Sequence, residues 1–403
     1  MGVSRRYMCI LAEWGGVDTA PADMIVCSER RPRENGLQMA VPPRISDSDD
    51  EEDDSLRSYE PIDLLQDAGI NTTDIAKLKH DGFATIGQLF QVSQKRLLGV
   101  KGISEAKRDK LLQAGKKIMP EKSGFVSAST LYQQSQNRIF ITTGSQQLDQ
   151  ILGGGIETMS VTEVHGEFRT GKTQLCHTLC VTAQLPRSRG GGAGKVAFVD
   201  TEGTFRPNRV AEIAKERYNL DPEDVLDNII VARAHSHDAQ MDLVVKLGVL
   251  FAVRMDDGST LKALLIHNIC TSQDPDQGPF RLLIIDSVTA LFRTDFSGRG
   301  ELSERQQRLN QHLVRLVKHA EVGYGAFGRS VWHVMADPGA NVMFGSAMKP
   351  VGGHVMSHGV HTRVLMKKGR AENRLCKIID SPCMPEAECS IQLYAGGITD
   401  SDE

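Results

Sequence analysis

The sequence predicts an α/β protein whose core is a mainly parallel β-sheet, preceded by a small domain of helices. Beyond about residue 139, short apolar runs alternate with stretches of helical periodicity, and three such runs cover residues 196–200, 229–231 and 282–286. Continuously apolar strands separated by helices indicate a parallel sheet that is covered on both faces. A glycine-rich loop at residues 166–173, between a further strand and a helix, fits the same architecture.

Composition limits the class of protein. The chain has 403 residues, of which 40% are hydrophobic, so we expect a soluble globular protein with two domains and tails. Its mean hydropathy is -0.27, and no run of about 18 apolar residues predicts a membrane span. The eight cysteines form no C-x-x-C pair, which favours reduced thiols over a zinc site.

Charge is unevenly distributed along the chain. Seven Asp and Glu residues fall within positions 47–54, and without them the net charge of -4 would be +3. Charge alone therefore neither supports nor excludes a nucleic-acid ligand. Residues 1–57 contain this run, lack hydrophobic periodicity and are predicted to be a disordered acidic tail. Met39 offers a second start, so residues 1–38 are either native or an extension of the gene model.

Residues 58–120 are predicted to form the small helical domain. Ile62, Leu65, Ile75 and Leu78 recur at helical spacing. Residues 98–104 read Leu-Gly-Val-Lys-Gly-Ile-Ser, which is typical of a helix-hairpin-helix whose backbone N–H groups hold a phosphate oxygen. A plain helix-turn-helix packing motif is the alternative. A polar linker at 121–138 then leads into the core at 139–403.

The loop at 166–173 fits the phosphate-binding pattern G-x-x-x-x-G-K-[ST] at every position. It follows a strand-like stretch at 160–164 and opens a predicted helix at 174–181, which is the context that the pattern requires. We expect Lys172 to bridge the β and γ phosphates of ATP and the Thr173 hydroxyl to ligate Mg²⁺. The predicted nucleotide-binding residues of the loop are Gly166, Glu167, Phe168, Arg169, Thr170, Gly171, Lys172 and Thr173.

Two carboxylates are predicted to complete the site. Asp286 ends the apolar run 282–285, where a carboxylate supports Mg²⁺ beside a phosphate-binding loop, although such an Asp taken alone is as often a strand cap. Glu202 lies just beyond the strand at 196–200, where a general base reaches the attacking water. We therefore expect ATP hydrolysis with Mg²⁺, with Glu202 and Lys172 as catalytic residues and Thr173 and Asp286 at the metal.

Two longer strings resemble the eukaryotic RecA-type strand-exchange recombinases. Residues 200–207 read Asp-Thr-Glu-Gly-Thr-Phe-Arg-Pro, and residues 293–302 read Arg-Thr-Asp-Phe-Ser-Gly-Arg-Gly-Glu-Leu. The resemblance covers about residues 58–403 and implies a RecA-type P-loop ATPase core. Residues 304–307 and 335–339 are most similar to the meiosis-specific branch of the family.

The resemblance implies further roles around the nucleotide. Glu202 is similar to the catalytic glutamate of the family, and Arg169 resembles the arginine that lies against adenine. His358 and Asp380 resemble residues that contact the nucleotide from the neighbouring subunit. The expected ATP site is thus shared between two copies of the chain.

Assembly and DNA binding are also implied. Phe125 and Ala128 match an F-x-x-A polymerisation element, in which the phenylalanine fills a pocket on the next core. Arg293, Arg299 and Arg305 fall in the first DNA-binding loop of the family, where they would neutralise phosphates. Without the resemblance, Phe125 is equally well interpreted as an anchor of its own loop. The three arginines are then better interpreted as part of a solvated basic loop. The implied partners are single- and double-stranded DNA, copies of the chain in a filament or ring, and other recombination proteins in the nucleus.

Two segments depart from the family pattern. Residues 253–278 insert a stretch before the strand at 282–286, where a few residues usually suffice. Residues 322–333 carry three glycines and an arginine in place of a buried strand ending in Thr-Asn-Gln, which weakens a central strand. The second DNA loop is expected from about 334 to 348. A mis-spliced gene model and a divergent paralogue both explain these departures.

The expected function is an ATP-dependent recombinase that forms filaments on single-stranded DNA and pairs it with homologous duplex. We expect this activity to serve meiotic recombination and double-strand break repair. The alternatives are a regulatory paralogue that mediates assembly of other recombinases, and a binding-only subunit with impaired hydrolysis. Filament formation on DNA by the isolated chain distinguishes a recombinase from a regulatory paralogue. Phosphate release from ATP distinguishes a recombinase from a binding-only subunit.

Overall fold

A computed structural model describes residues 60–83, 85–119, 125, 127–136, 138–252, 280–298, 300–321, 330–337 and 353–401. Four predicted features lie outside these residues, wholly or nearly so: the tail at 1–57, the insert at 253–278, Arg299, and residues 322–329 of the departing segment.

The first described segment is a bundle of short helices. After a 3₁₀ turn at Ile62–Leu65, they are α1 (Thr72–His80), α2 (Ile86–Gln91), α3 (Gln94–Leu98) and α4 (Glu105–Ile118). The side chains of Asn71, Thr85 and Ser93 fix where α1, α2 and α3 begin, since each accepts a backbone N–H of the first turn. Buried apolar residues such as Leu78 and Leu111 form a core of their own between these helices.

The larger segment is built on a nine-stranded sheet within the described residues, after a short pair β1 (Phe140–Ile141) and β2 (Ile156–Glu157). Its strands are β3 (Val161–Glu167), β4 (Lys195–Asp200), β5 (Ile229–Arg233), β6 (Phe280–Asp286), β7 (Ser330–Asp337), β8 (Thr362–Lys368), β9 (Asn373–Asp380), β10 (Glu388–Tyr394) and β11 (Gly397–Asp400). The order across the sheet is β11-β10-β9-β8-β3-β7-β6-β4-β5. The strands from β8 to β5 in that order are parallel, and β9 to β11 are antiparallel.

Helices cover both faces of this sheet. They are α6 (Gln146–Ile151), α7 (Lys172–Thr182), α8 (Pro207–Tyr218), α9 (Pro222–Asp227), α10 (His237–Ala252), α11 (Ala290–Asp295), α12 (Leu302–Glu321) and α13 (Gly353–Gly359). Helix α5 (Ala128–Gln136) precedes the sheet, and its described residues are mostly exposed. Along β4, Val196 and Phe198 pack into the core beneath α7 and α8, whereas Ala197 and Val199 pack beneath α10 and α12. The predicted α/β fold with a mainly parallel sheet is confirmed.

Strand β7 occupies the middle of the sheet, where the departing segment was expected to weaken a strand. It pairs in parallel with β3 on one side and β6 on the other over Ser330–Asp337. A central strand therefore forms directly after the glycine-rich residues. Residues 334–337, expected to open the second DNA loop, belong to β7 instead, and residues 338–348 of that expected loop lie outside the described residues.

No helix in the described part of the chain combines the length and the apolarity needed to cross a membrane.

Candidate nucleotide site

The phosphate-binding loop connects β3 directly to α7. Glycines are required at two of its positions by close packing. A Cβ on Gly166 would lie 2.1 Å from the carbonyl oxygen of Met366 on the adjacent strand β8. A Cβ on Gly171, whose φ is +98°, would lie 2.9 Å from the Leu393 side chain. The loop is thus pressed against the sheet, and helix α7 begins with its N-terminus at the loop.

Lys172 lies at the centre of this loop and is 5% exposed. Its Nζ donates to the carbonyl oxygens of Gly166 at 2.8 Å and Glu167 at 2.6 Å, and to the Thr170 hydroxyl at 3.2 Å. The ammonium is therefore held inside the curl of the loop by main-chain acceptors. This arrangement places a buried positive charge where the loop would receive phosphate oxygens.

Thr173 and Asp286 meet across the mouth of the loop. The Thr173 hydroxyl donates to Asp286 Oδ2 at 2.9 Å, and the Thr204 hydroxyl donates to the same oxygen at 3.2 Å. Burial, together with the negative charge of Glu202, raises the pKa of Asp286 to about 6, although the hydrogen bond from Thr173 lowers it. Hydroxyl and carboxylate oxygens suit Mg²⁺, which commonly takes few protein ligands and completes its shell with phosphate and water. In the described part of the chain, no three His, Cys, Asp or Glu side chains form a denser metal site.

Glu202 lies on the loop that follows β4 and is exposed. Its Oε1 accepts a hydrogen bond from the Ser287 hydroxyl at 2.8 Å. Ser287 follows Asp286 directly, and it is tied to the Glu202 loop by a bond between its backbone N–H and Thr201 Oγ1 at 2.7 Å. The structure therefore brings together Glu202, Asp286 and the phosphate-binding loop.

Sequence reasoning missed Ser287 and Thr204, which contact the two carboxylates. Ser287 directly follows Asp286 in the chain, and this adjacency was the only available signal. Thr204 carried none, because its contact with Asp286 depends on how β4 and β6 pair, Asp200 lying opposite Asp286.

The remaining loop residues differ in their accessibility. Phe168 is 67% exposed, and the Arg169 guanidinium lies 5.3 Å from the centre of its ring. Arg169 has a backbone φ of +63°, which residues other than glycine rarely adopt. The Thr170 hydroxyl is buried and donates to the carbonyl oxygen of Glu167 at 2.9 Å. Phe168 and Arg169 thus face outwards, beside the buried phosphate-binding part of the loop.

The residues expected to act from a neighbouring subunit are exposed. His358 lies near the end of α13, and Asp380 is the last residue of β9. Both side chains are therefore accessible to another molecule.

The expected DNA and assembly residues are only partly described. Arg293 on α11 and Arg305 on α12 are half-buried, and Arg299 between them lies outside the described residues. Phe125 is fully exposed, and Ala128 begins α5. Phe125 and the two described arginines are therefore at least partly accessible to another molecule.

Comparison with known proteins is consistent with this geometry. The sequence matches the Rad51 family over residues 134–266 and 260–401. It is 49% identical over 344 residues to the "Meiotic recombination protein DLH1" of Candida albicans, covering 85% of this chain and 97% of that one. It is 46% identical over 355 residues to the "Meiotic recombination protein DMC1" of Saccharomyces cerevisiae, covering 87% and 97%. A third relative, the "Meiotic recombination protein DMC1 homolog" of Glycine max, is 46% identical over 89% of this chain and 94% of its own. The chain therefore belongs to the Rad51 family.

Proposed function

We propose that this chain is an ATP-dependent recombinase that assembles on single-stranded DNA and pairs it with homologous duplex in meiotic recombination and double-strand break repair. Family membership and relatives named as meiotic recombination proteins support this function. They disfavour a regulatory paralogue that only assists other recombinases. Its place of action would be the nucleus, where chromosomal DNA lies.

The observation that carries the nucleotide assignment is the contact between Thr173 and Asp286 beside the buried Lys172. Together these groups offer one cation and two oxygen donors within a single loop mouth. Bound Mg·ATP would supply the γ-phosphate to be transferred and the metal charge that neutralises it. Lys172 would exchange its main-chain acceptors for phosphate oxygens, while Thr173 and Asp286 would face the metal.

Hydrolysis would depend on Glu202 as the base. Its carboxylate is exposed at the site, and the Ser287 hydroxyl holds one of its oxygens at 2.8 Å. The other oxygen would accept the proton of the attacking water. An intact Glu202 and Asp286 favour a hydrolytic subunit over one that only binds nucleotide.

Assembly would use Phe125 and the edge of the sheet. Phe125 is fully exposed, and β5 forms the sheet edge furthest from the antiparallel strands, with Val231 46% exposed. An edge strand with an exposed apolar side chain accepts an extended segment of another molecule. We propose that Phe125 and Ala128 of one copy dock at β5 of the next.

DNA would contact two regions. Arg293, Arg299 and Arg305 would neutralise phosphates in the first DNA loop. In the helical domain, the hairpin between α3 and α4 turns at Gly102, which has a φ of +87°. The Lys77 ammonium, which is paired with Asp74 at 3.0 Å, lies beside this glycine. A phosphate at the hairpin would thus meet both backbone N–H groups and a cation.

DNA binding as a function of nucleotide tests this proposal. Fluorescence anisotropy of a labelled single strand with Mg·ATP should show tight binding, and electron microscopy should show filaments or rings on that DNA. Lys172→Ala should lose the ATP dependence, whereas Lys215→Ala, an exposed lysine on α8, should match the parent. Equal binding with and without ATP, by a monomer, would contradict the proposal.

A further inference from the structure

The carboxylate of Asp200 is committed to one short loop. Asp200 is the last residue of β4, and its Oδ1 accepts the backbone N–H groups of Glu202 at 3.1 Å, Gly203 at 2.6 Å and Thr204 at 3.2 Å. Its Oδ2 accepts the N–H of Phe205 at 3.3 Å. Four consecutive N–H groups therefore point at a single carboxylate, and one of them belongs to the proposed general base.

Arg233 is the second partner of this carboxylate. It lies opposite Asp200 where β4 pairs with β5, and its Nη1 is 2.9 Å from Asp200 Oδ1. The Asp200 side chain is 8% exposed and that of Arg233 is 37% exposed. Arg233 also covers the loop itself, because a Cβ on Gly203 would lie 2.7 Å from its Nη1.

The far end of the loop is fixed separately. The backbone N–H of Arg206 donates to Nε2 of the buried His177 on α7, the helix that begins at the phosphate-binding loop. With Asp200 holding one end and His177 the other, Glu202 is carried by a loop tied to both β4 and α7.

We propose that Asp200 is a positioning residue for Glu202, and that its ion pair with Arg233 fixes the carboxylate that holds the loop. This inference rests on the proposed role of Glu202 in hydrolysis. Asp200 is not itself suited to act as base or metal ligand, because both of its oxygens are occupied by N–H donors. Its effect on turnover would come through the geometry of Glu202.

The change Asp200→Asn tests this role. An asparagine keeps one acceptor oxygen but places an amide NH₂ against either the Phe205 N–H or the Arg233 guanidinium, so two donors face one another. The ion pair is lost as well. Because a displacement of about 1 Å at a reacting group lowers a rate by up to about a hundredfold, we expect kcat for phosphate release to fall at least about tenfold. The Kd for a fluorescent, non-hydrolysable ATP analogue with Mg²⁺ should stay within about threefold, because the phosphate-binding loop is intact.

Four further variants make the test specific. Glu202→Gln gives the rate without the base. Arg233→Gln removes the ion pair and leaves the four N–H bonds, so it should lower kcat less than Asp200→Asn. The double variant should lose little beyond Asp200→Asn alone, because the two residues act as a unit. Glu157→Gln breaks a different ion pair, with Arg138 at 2.5 Å, and should match the parent.

Parent-like turnover in Asp200→Asn would overturn the inference, and so would an equal loss of nucleotide affinity and kcat, which indicates a general structural role. If Asp200→Asn does not fold, Arg233→Gln decides: a lower kcat at unchanged Kd supports the inference, and an unchanged kcat overturns it. Turnover that survives in Glu202→Gln would instead refute the proposed base. An inactive Glu202→Gln beside a fully active Asp200→Asn would refute the positioning role alone.

Discussion

At the scale of single residues, the nucleotide site depends on a buried histidine in its neutral form. His177 is 1% exposed and accepts the Arg206 N–H through Nε2 at 3.3 Å. Burial, together with the nearby charges of Arg209 and Arg206, lowers the pKa of His177 to about 4. A protonated imidazole has no acceptor at Nε2, so protonation would break the bond that fixes the end of the Glu202 loop.

We predict that His177 makes the fold less stable as the pH falls. Its folded-state pKa of about 4 lies below the ordinary value of 6.5, so the unfolded chain binds the proton more readily between these values. The contribution of neutral His177 to stability is fully present above about pH 6.5 and declines as the pH falls. Below about pH 4 this contribution is lost, which lowers the free energy of unfolding by about 3 kcal/mol. Thermal unfolding at pH 7.5 and 5.0 measures the loss. His177→Gln should show a smaller decrease in Tm than the parent, and equal decreases would contradict the assignment.

At the scale of elements, the strands and the loop were predictable and their contacts were not. Apolar runs predicted β4, β5 and β6, and observed β4 begins one residue earlier than predicted, at Lys195. The loop pattern predicted a helix directly after it, at 174–181, and observed α7 begins two residues earlier, at Lys172. The four bonds to Asp200 lie within residues 200–205 and depend on the conformation of one loop. The contact of Ser287 with Glu202 and the pairing of Asp200 with Arg233 arise from register between strands that are distant in the sequence, which no local pattern encodes. The position of Glu202 after β4 therefore predicted that it lies beside Asp286 and the phosphate-binding loop, but not which residues hold it there.

Strand β7 and the residues before it lead to a prediction about coupling between ATP hydrolysis and DNA binding. The resemblance implies a glutamine near position 333 that links the γ-phosphate to the second DNA loop, and His333 stands there instead. A side chain that contacts both sites lets DNA binding and nucleotide state influence one another. We therefore predict that the chain binds ATP but that single-stranded DNA stimulates its hydrolysis little, with weak strand exchange.

Replacing residues 322–333 with a β-branched strand that ends in Thr-Asn-Gln should restore stimulation and strand exchange. Phosphate release with and without single-stranded DNA measures the first effect. As a control, nucleotide affinity should be similar in both proteins, because the phosphate-binding loop is unchanged. Strong DNA stimulation of the original chain would show that another residue couples the two sites.

At the scale of the whole molecule, we propose that assembly completes the ATP site. His358 and Asp380 are exposed, as residues acting on a neighbouring copy would be. Phe125 is exposed as well, although it is a large aromatic side chain. These features are accounted for together if copies stack through Phe125 and the edge strand β5.

We predict that Phe125→Glu converts oligomers into monomers. A carboxylate at this position would have to be buried without a partner in the apolar pocket of the next copy, which costs several kcal/mol. Size-exclusion chromatography with light scattering gives the mass directly. Ser129→Glu adds the same charge to an exposed position on α5 and should leave assembly intact. A Phe125→Glu variant that assembles like the parent would show that assembly uses another surface.

We infer that ATP is hydrolysed at the site formed by the phosphate-binding loop, Asp286 and Glu202. Phosphate release from Mg·ATP by the parent and by Glu202→Gln, at saturating nucleotide, tests it most directly. A general base contributes about a hundredfold or more to a rate, so Glu202→Gln should be slower by about that factor while its affinity for nucleotide stays within about threefold. Equal rates of phosphate release in the two proteins would show that Glu202 is not the general base of this site.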